Sequence, residues 1–269
     1  MKNITVYVGG DAGREGRLQA GLDLARTFGG HLSCVQATPP AAYIVTDMFG
    51  GAFVIADVID RIQKNTASVR AKIETQLGHE DVSWDFVHCE ANPADAIIGR
   101  ARLADLIVLT RSQSGKGPND AMSLVGDVSL HARAPVMAVP EVASGFDTAG
   151  RIVILWNGSF EAANAVRAAL PLLAKSGGVD ILTIEETPST FPPIAVAEYL
   201  SRHGVKSELH AIRPGLAGVA ETLLSGVRRM APACVVMGAY GHSRAREYIM
   251  GGVTRKMLAE CPVPLLLAH

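Results

Sequence analysis

The chain has 269 residues, 48% of them hydrophobic, enough for one large or two ordinary domains. Its net charge is −1 and no run of lysine or arginine exceeds two residues, which argues against nucleic acid and acidic membrane surfaces as partners. Cys34, Cys89, Cys234 and Cys261 lie far apart with no Cys-x-x-Cys pair, as buried thiols of a cytoplasmic protein would; no stretch approaches a membrane span or a signal-peptide core.

In chain order, a first strand is expected at residues 4–8. It leads through Gly9-Gly10-Asp11-Ala12-Gly13 into a helix carrying Leu18, Leu22, Leu24 and Ala25, closed by Gly29-Gly30. A second strand follows at 31–35. The segment from Pro39 to Gly78 reads as a loop at 47–51 and then a core-facing helix, with Val54, Ile55, Val58, Ile59 and Ile62 at helical spacing. Further strands fall at 84–88, 106–109 and 135–139, and residues 141–150 read as a linker.

The plan then repeats. Residues 151–156 form a strand, Asn157-Gly158-Ser159 a turn, and Ala162, Val166, Ala169, Leu170 and Leu173 mark a helix closed by Gly177-Gly178. Strands at 179–184, 207–212, 234–237 and 264–268 complete the second half. A period of roughly 130 residues is a whole domain rather than a solenoid unit. The expected organisation is therefore two α/β domains, 1–142 and 150–269, each a five-stranded parallel sheet between two helical layers.

The most informative stretch is 238–254, Gly-Ala-Tyr-Gly-His-Ser-Arg-Ala-Arg-Glu-Tyr-Ile-Met-Gly-Gly-Val-Thr. It stands between an apolar strand and a helix, where glycines let backbone approach a phosphate and a helix N-terminus supplies unpaired N–H groups. The spacing Gly238-x2-Gly241-x9-Gly251 resembles the nucleotide-binding motif of the universal stress protein family. Both halves repeat that family's plan, so the whole chain looks like a tandem member, with a Rossmann-like fold akin to the adenine nucleotide α-hydrolases.

The resemblance implies that Met237, Gly238 and Gly241 pass beside the ribose and phosphates, and that amides around Gly251, Gly252, Val253 and Thr254 hold phosphate oxygens. Gly252 stands where the family usually has a serine or threonine, which removes one hydrogen bond of about 1–2 kcal/mol and implies weakened binding. Asn157 stands at the family's aspartate. It offers a donor and an acceptor to a nucleoside, while Asn157-Gly158-Ser159 reads equally well as a turn with Ser159 capping a helix. Ile184 matches a position whose backbone meets adenine. His242, Arg244 and Arg246 lie between the motif glycines; the arginines suit phosphate or, equally, a solvated helix face.

In the first half, Thr110 replaces Gly238, and the following loop has the glycine spacing broken by an insertion of three residues. Aligning Gly126-Asp127 with Gly251-Gly252 puts a carboxylate at a helix N-terminus, where it would repel phosphate. Asp11, matching the family aspartate, reads as the cap of the first helix. Ser114-Gly115-Lys116-Gly117 is not a Walker A loop.

One adenine nucleotide per chain is expected, in the second half: ATP, with or without Mg, or a relative. The resemblance implies a stress-response regulator or chaperone-like partner acting on an unknown protein. That reading requires no active enzyme, since no Ser-His-Asp set, carboxylate pair or metal cluster is visible; a weak ATPase or nucleotidyl-processing enzyme of the same superfamily, or a scaffold without nucleotide, is the alternative. The apolar fifth strands need a partner, and pairing them within one chain would make an intramolecular pseudo-dimer, with a homodimer of chains also open.

Overall fold

A computed structural model of the chain describes residues 1–46, 52–54, 56–111, 121–185, 191–239 and 252–269. The first half runs β1 (Asn3–Tyr7), α1 (Arg14–Phe28), β2 (His31–Ala37), β3 (Ile44–Thr46), β4 (Ala52–Val54), α2 (Ala56–Leu77), β5 (Ser83–Cys89), α3 (Pro93–Arg100), β6 (Leu106–Arg111), α4 (Ala121–His131) and β7 (Val136–Pro140). The second runs β8 (Ile152–Trp156), α5 (Phe160–Leu173), β9 (Val179–Ile184), α6 (Pro193–Arg202), β10 (Ser207–Ile212), α7 (Val219–Met230), β11 (Cys234–Gly238), α8 (Gly252–Glu260) and β12 (Leu265–Ala268).

Ten strands form one sheet in the order β10-β9-β8-β11-β12-β7-β6-β1-β2-β5. Each half is parallel throughout, as its strand–helix alternation requires. The halves meet through their fifth strands: β7 and β12 pair antiparallel, Val136 opposite Leu267 and Ala138 opposite Leu265. Each strand thereby covers an apolar edge of the other. The outer strands β5 and β10 hold only exposed and half-buried residues, so burial falls away at both edges of the sheet.

The inner strands are buried on both faces, which explains their continuous apolar runs; every residue of β6, β7 and β8 is buried. Ile4, Val6, Ile152 and Ile154 face a core shared with Leu18 and Leu22 of α1, Ile73 of α2, Val166 of α5 and Leu200 of α6. Ile107, Leu109, Val153 and Val235 face a second core with Ile97 of α3, Val128 of α4, Leu224 of α7 and Leu258 of α8. The helices thus sort onto the two sides of one sheet.

Two expectations are corrected. Val54 belongs to an antiparallel β3–β4 pair, not to the helix, which runs from Ala56. The expected loop at 47–51 and Ile55 lie outside the described residues.

The register between the two halves also differs from the expected one. Ile107 N–H donates to Pro135 and Val235 N–H to Pro264, so 28 residues separate the first pair and 29 the second. The first-half segment is one residue shorter, not three longer. Matching the helices from their ends sets buried Val128 and Ser129 against buried Met257 and Leu258. Asp127 then corresponds to Lys256, not Gly252. It is an exposed residue well inside α4, too far from the helix start to repel an anion there.

Candidate functional site

In each half the chain leaves the first strand in one direction and returns on the other side with the fourth. The topological switch points are therefore the carboxyl ends of β1 and β6, and of β8 and β11, where open parallel sheets bind ligands. The motif begins at the second of these, at Gly238, the last residue of β11.

Beside it, the β8–α5 turn is built as a turn and cap. Asn157 Oδ1 accepts from the Ser159 N–H at 3.1 Å, Gly158 adopts φ 77°, and Ser159 Oγ accepts from the Ala162 N–H at 3.1 Å. Asn157 is exposed at the mouth of the crevice. A Cβ placed on Gly238 would stand 2.4 Å from the Ala162 nitrogen and 2.6 Å from the Glu161 carbonyl carbon. Gly238 is therefore required by the close packing of α5's first turn, a backbone demand independent of any ligand.

Met237 is buried between Leu155 and Leu267, and Ile184 is half-buried at the end of β9 opposite Ile212. Gly252 is exposed, with nothing within 4 Å of a Cβ built on it. Thr254 shares a face of α8 with Met257 and Leu258 and is buried with them, so its side chain is turned inward rather than to the crevice. Val253 packs against the same core. Gly241, His242, Arg244, Arg246 and Gly251 lie outside the described residues.

Three features went unread in the sequence. The Trp156 indole nitrogen, at the end of β8, is buried without an acceptor among the described residues. Arg17, 1% exposed, bridges the first switch point. Its guanidinium donates to both carboxylate oxygens of Asp11, at 2.9 and 2.8 Å, to the Tyr7 carbonyl and to Thr110 Oγ1. Thr110 Oγ1 in turn donates to the Gly13 carbonyl at 3.2 Å, and a Cβ on Gly13 would meet the Thr110 side chain at 2.4 Å. Asp11 is thus an ion-pair partner rather than a helix cap; the cap position is Gly13, which makes no side-chain bond. A signal was present: Ala20, Gly21 and Leu24, at i+3, i+4 and i+7 from Arg17, place it on the apolar face of its helix.

Arg111 is the third. Buried at the end of β6, it crosses between halves and donates to the carbonyls of Leu258 at 2.8 Å, Cys261 and Val263 at 3.3 Å, capping the last turn of α8. Burial lowers its pKa, with Cys261 opposing, yet a guanidinium keeps its proton. Nothing local in the sequence marks that span.

Among the described residues, one group has metal-ligand character: Asp180, Glu208 and His210. Arg151 already donates to both Asp180 oxygens at 3.0 and 2.8 Å, and His210 Nε2 lies 2.9 Å from one of them. A guanidinium at that carboxylate disfavours a cation there. Burial pushes the Cys34 and Cys234 thiols up to about 12, Asp85 adding to the first and Cys261 to the second, so neither is a nucleophile. Among the described residues no helix is long and apolar enough to cross a membrane.

No protein-family model matches the chain, and no curated protein matches its sequence. Among solved structures, a universal stress protein from Archaeoglobus fulgidus DSM 4304 superposes at TM-score 0.72 and 15% identity, covering 98% of this chain and 95% of that one. A protein of Pseudomonas aeruginosa UCBPP-PA14 ascribed to the universal stress proteins covers 98% of this chain and 92% of its own, at TM-score 0.61 and 13% identity. A functionally unknown protein from Pseudomonas aeruginosa PAO1 gives the same coverage at TM-score 0.60 and 12% identity. The chain has the tandem, Rossmann-like α/β fold of two-domain universal stress proteins.

Proposed function

We propose that the chain works as a tandem universal stress protein, binding one adenine nucleotide in residues 150–269 and signalling its occupancy to a protein partner from the cytoplasm. The observation that carries this reading is the difference between the two switch points. At the first, Arg17, Asp11, Tyr7 and Thr110 satisfy one another. At the second, an exposed Asn157 and open space at Gly252 flank the glycine motif, and α8 follows it. On this reading ATP, with or without Mg, is held at that motif through backbone amides at the start of α8.

A second reading, a scaffold without nucleotide, is favoured by Gly238 packing on α5 and by the inward Thr254. Mass analysis of ligand released from freshly purified protein, with ATP titration of wild type and Gly251→Glu, separates them. An adenine nucleotide retained by wild type and lost in the folded variant supports the proposal. No binding at millimolar ATP supports the scaffold, and equal binding by the variant sinks the site. ATP turnover far above background would establish an ATPase.

A further inference from the structure

Sequence shows no basic run, yet the fold assembles one basic hollow. Arg102 follows α3 in a short 3₁₀ turn, Arg133 lies in the α4–β7 turn, and Arg167 projects from α5 of the other half; together they line a depression of about 340 Å³. Neither Arg102 nor Arg133 has an acidic partner among the described residues, and Arg167 spends Nη2 on the neutral Asn164 Oδ1. The acid in the lining, Asp105, accepts from the Lys2 and Asn3 backbone N–H groups instead of from an arginine. Three guanidiniums thus share a concave surface with one engaged carboxylate, in a chain whose net charge is −1.

The antiparallel junction gives this hollow its position. Because β7 and β12 run oppositely, the amino end of β7, where Arg133 sits, shares a rim with the carboxyl end of β12. From Arg167 a polar relay leads along that rim: Asn164 Nδ2 donates to the His269 carbonyl at 3.2 Å, and His269 Nδ1 lies 3.2 Å from the carbonyl of Ala239, next to Gly238. The hollow needs both halves and lies beside the second switch point.

We propose that Arg102, Arg133 and Arg167 form a binding site for a small phosphate-bearing anion of pyrophosphate size, distinct from the glycine motif. The planar forks suit phosphate oxygens, and an open depression walled by both halves leaves room for an anion of this size.

The test is calorimetric titration of the full chain with pyrophosphate at low ionic strength, against chloride of equal ionic strength. Saturable binding to wild type is expected, weakened about tenfold by Arg133→Gln, as loss of one charge-assisted hydrogen-bonding group implies. It should vanish in Arg102→Gln/Arg133→Gln/Arg167→Gln, whose exposed substitutions leave the circular dichroism spectrum and melting temperature in chloride unchanged. Gly251→Glu should bind pyrophosphate like wild type. Loss of binding in Gly251→Glu would put the anion at the glycine motif and overturn this inference while leaving the nucleotide reading intact. Unchanged binding by the triple variant, or none by wild type, also overturns it. Co-sedimentation with phosphatidic acid vesicles is expected to be negative; triple-variant-sensitive co-sedimentation would replace the free anion with a headgroup and overturn the proposal as stated.

Discussion

The Arg17 guanidinium lies in a two-point bond on the Asp11 carboxylate, the arginine side chain 1% exposed and the aspartate 40%. Removing the carboxylate strands a buried cation, whereas removing the arginine leaves an acid that water can reach. Asp11→Ala should therefore cost about 1.5–3 kcal/mol, the range for hydrogen bonds to charged groups. Arg17→Met in that background should restore part of it. Urea denaturation of the four proteins of this cycle measures the coupling, and additive effects would show that the pair contributes nothing.

Gly238 and Gly252 are expected to respond oppositely to a side chain. Gly238→Ala drives a Cβ into the backbone of Glu161 and Ala162, with a cost of about 1–3 kcal/mol typical of overpacking. Gly252→Ser meets open space and should change stability by no more than about 0.5 kcal/mol. On the proposed function it also tightens ATP binding, by supplying the missing hydroxyl. Thermal melting and ATP titration of both variants check the pair.

Arg111 couples the halves through the end of α8. Arg111→Ala should cost about 2–4 kcal/mol, since three carbonyls lose their donor and a cavity opens. Arg111→Met should cost less, because an apolar chain fills the space without a buried charge. Hydrogen exchange should accelerate in α8 before it does in β8 or β9. Uniform acceleration across the second half would contradict a local cap.

Asp180 supplies a pH dependence. Burial works against its ionisation, but hydrogen bonds from Arg151 and His210 prevail and hold its carboxyl below the usual carboxylate range. A depressed carboxylate contributes stability that is fully present above its unfolded pKa and lost as pH falls through the folded one. The wild type should thus lose this contribution only in acid, below the ordinary aspartate range. Asp180→Asn should be less stable than wild type at neutral pH, with the gap closing on acidification. Melting temperatures from neutral to strongly acidic pH test it; a gap that widens in acid would refute the assignment.

Much of the fold was legible because its signals are local. The apolar runs at β6, β7 and β11 and the glycines after α1 and α5 mark elements within a few residues. The turn at Asn157-Gly158-Ser159 was legible for the same reason, its hydrogen bonds spanning two and three residues. The β3–β4 pair escaped because two three-residue strands carry too little pattern to compete with a helical one. Asp127 was misplaced because glycine matching fails where two loops differ by a residue; burial on the helix resolved it.

By itself the sequence determined the duplicated strand–helix plan, the parallel order within each half and the location of the glycine motif, since periodicity and connectivity act over short spans. Tertiary structure alone decided what distant residues do to one another. It sent Arg17 into the first switch point and Arg111 across to α8. It packed Gly238 on α5, joined β7 to β12 antiparallel, and drew Arg102, Arg133 and Arg167 to one hollow. Those outcomes depend on where a buried charge finds acceptors and on which of the pairings open to the apolar fifth strands forms, and neither choice is made by a local run of residues.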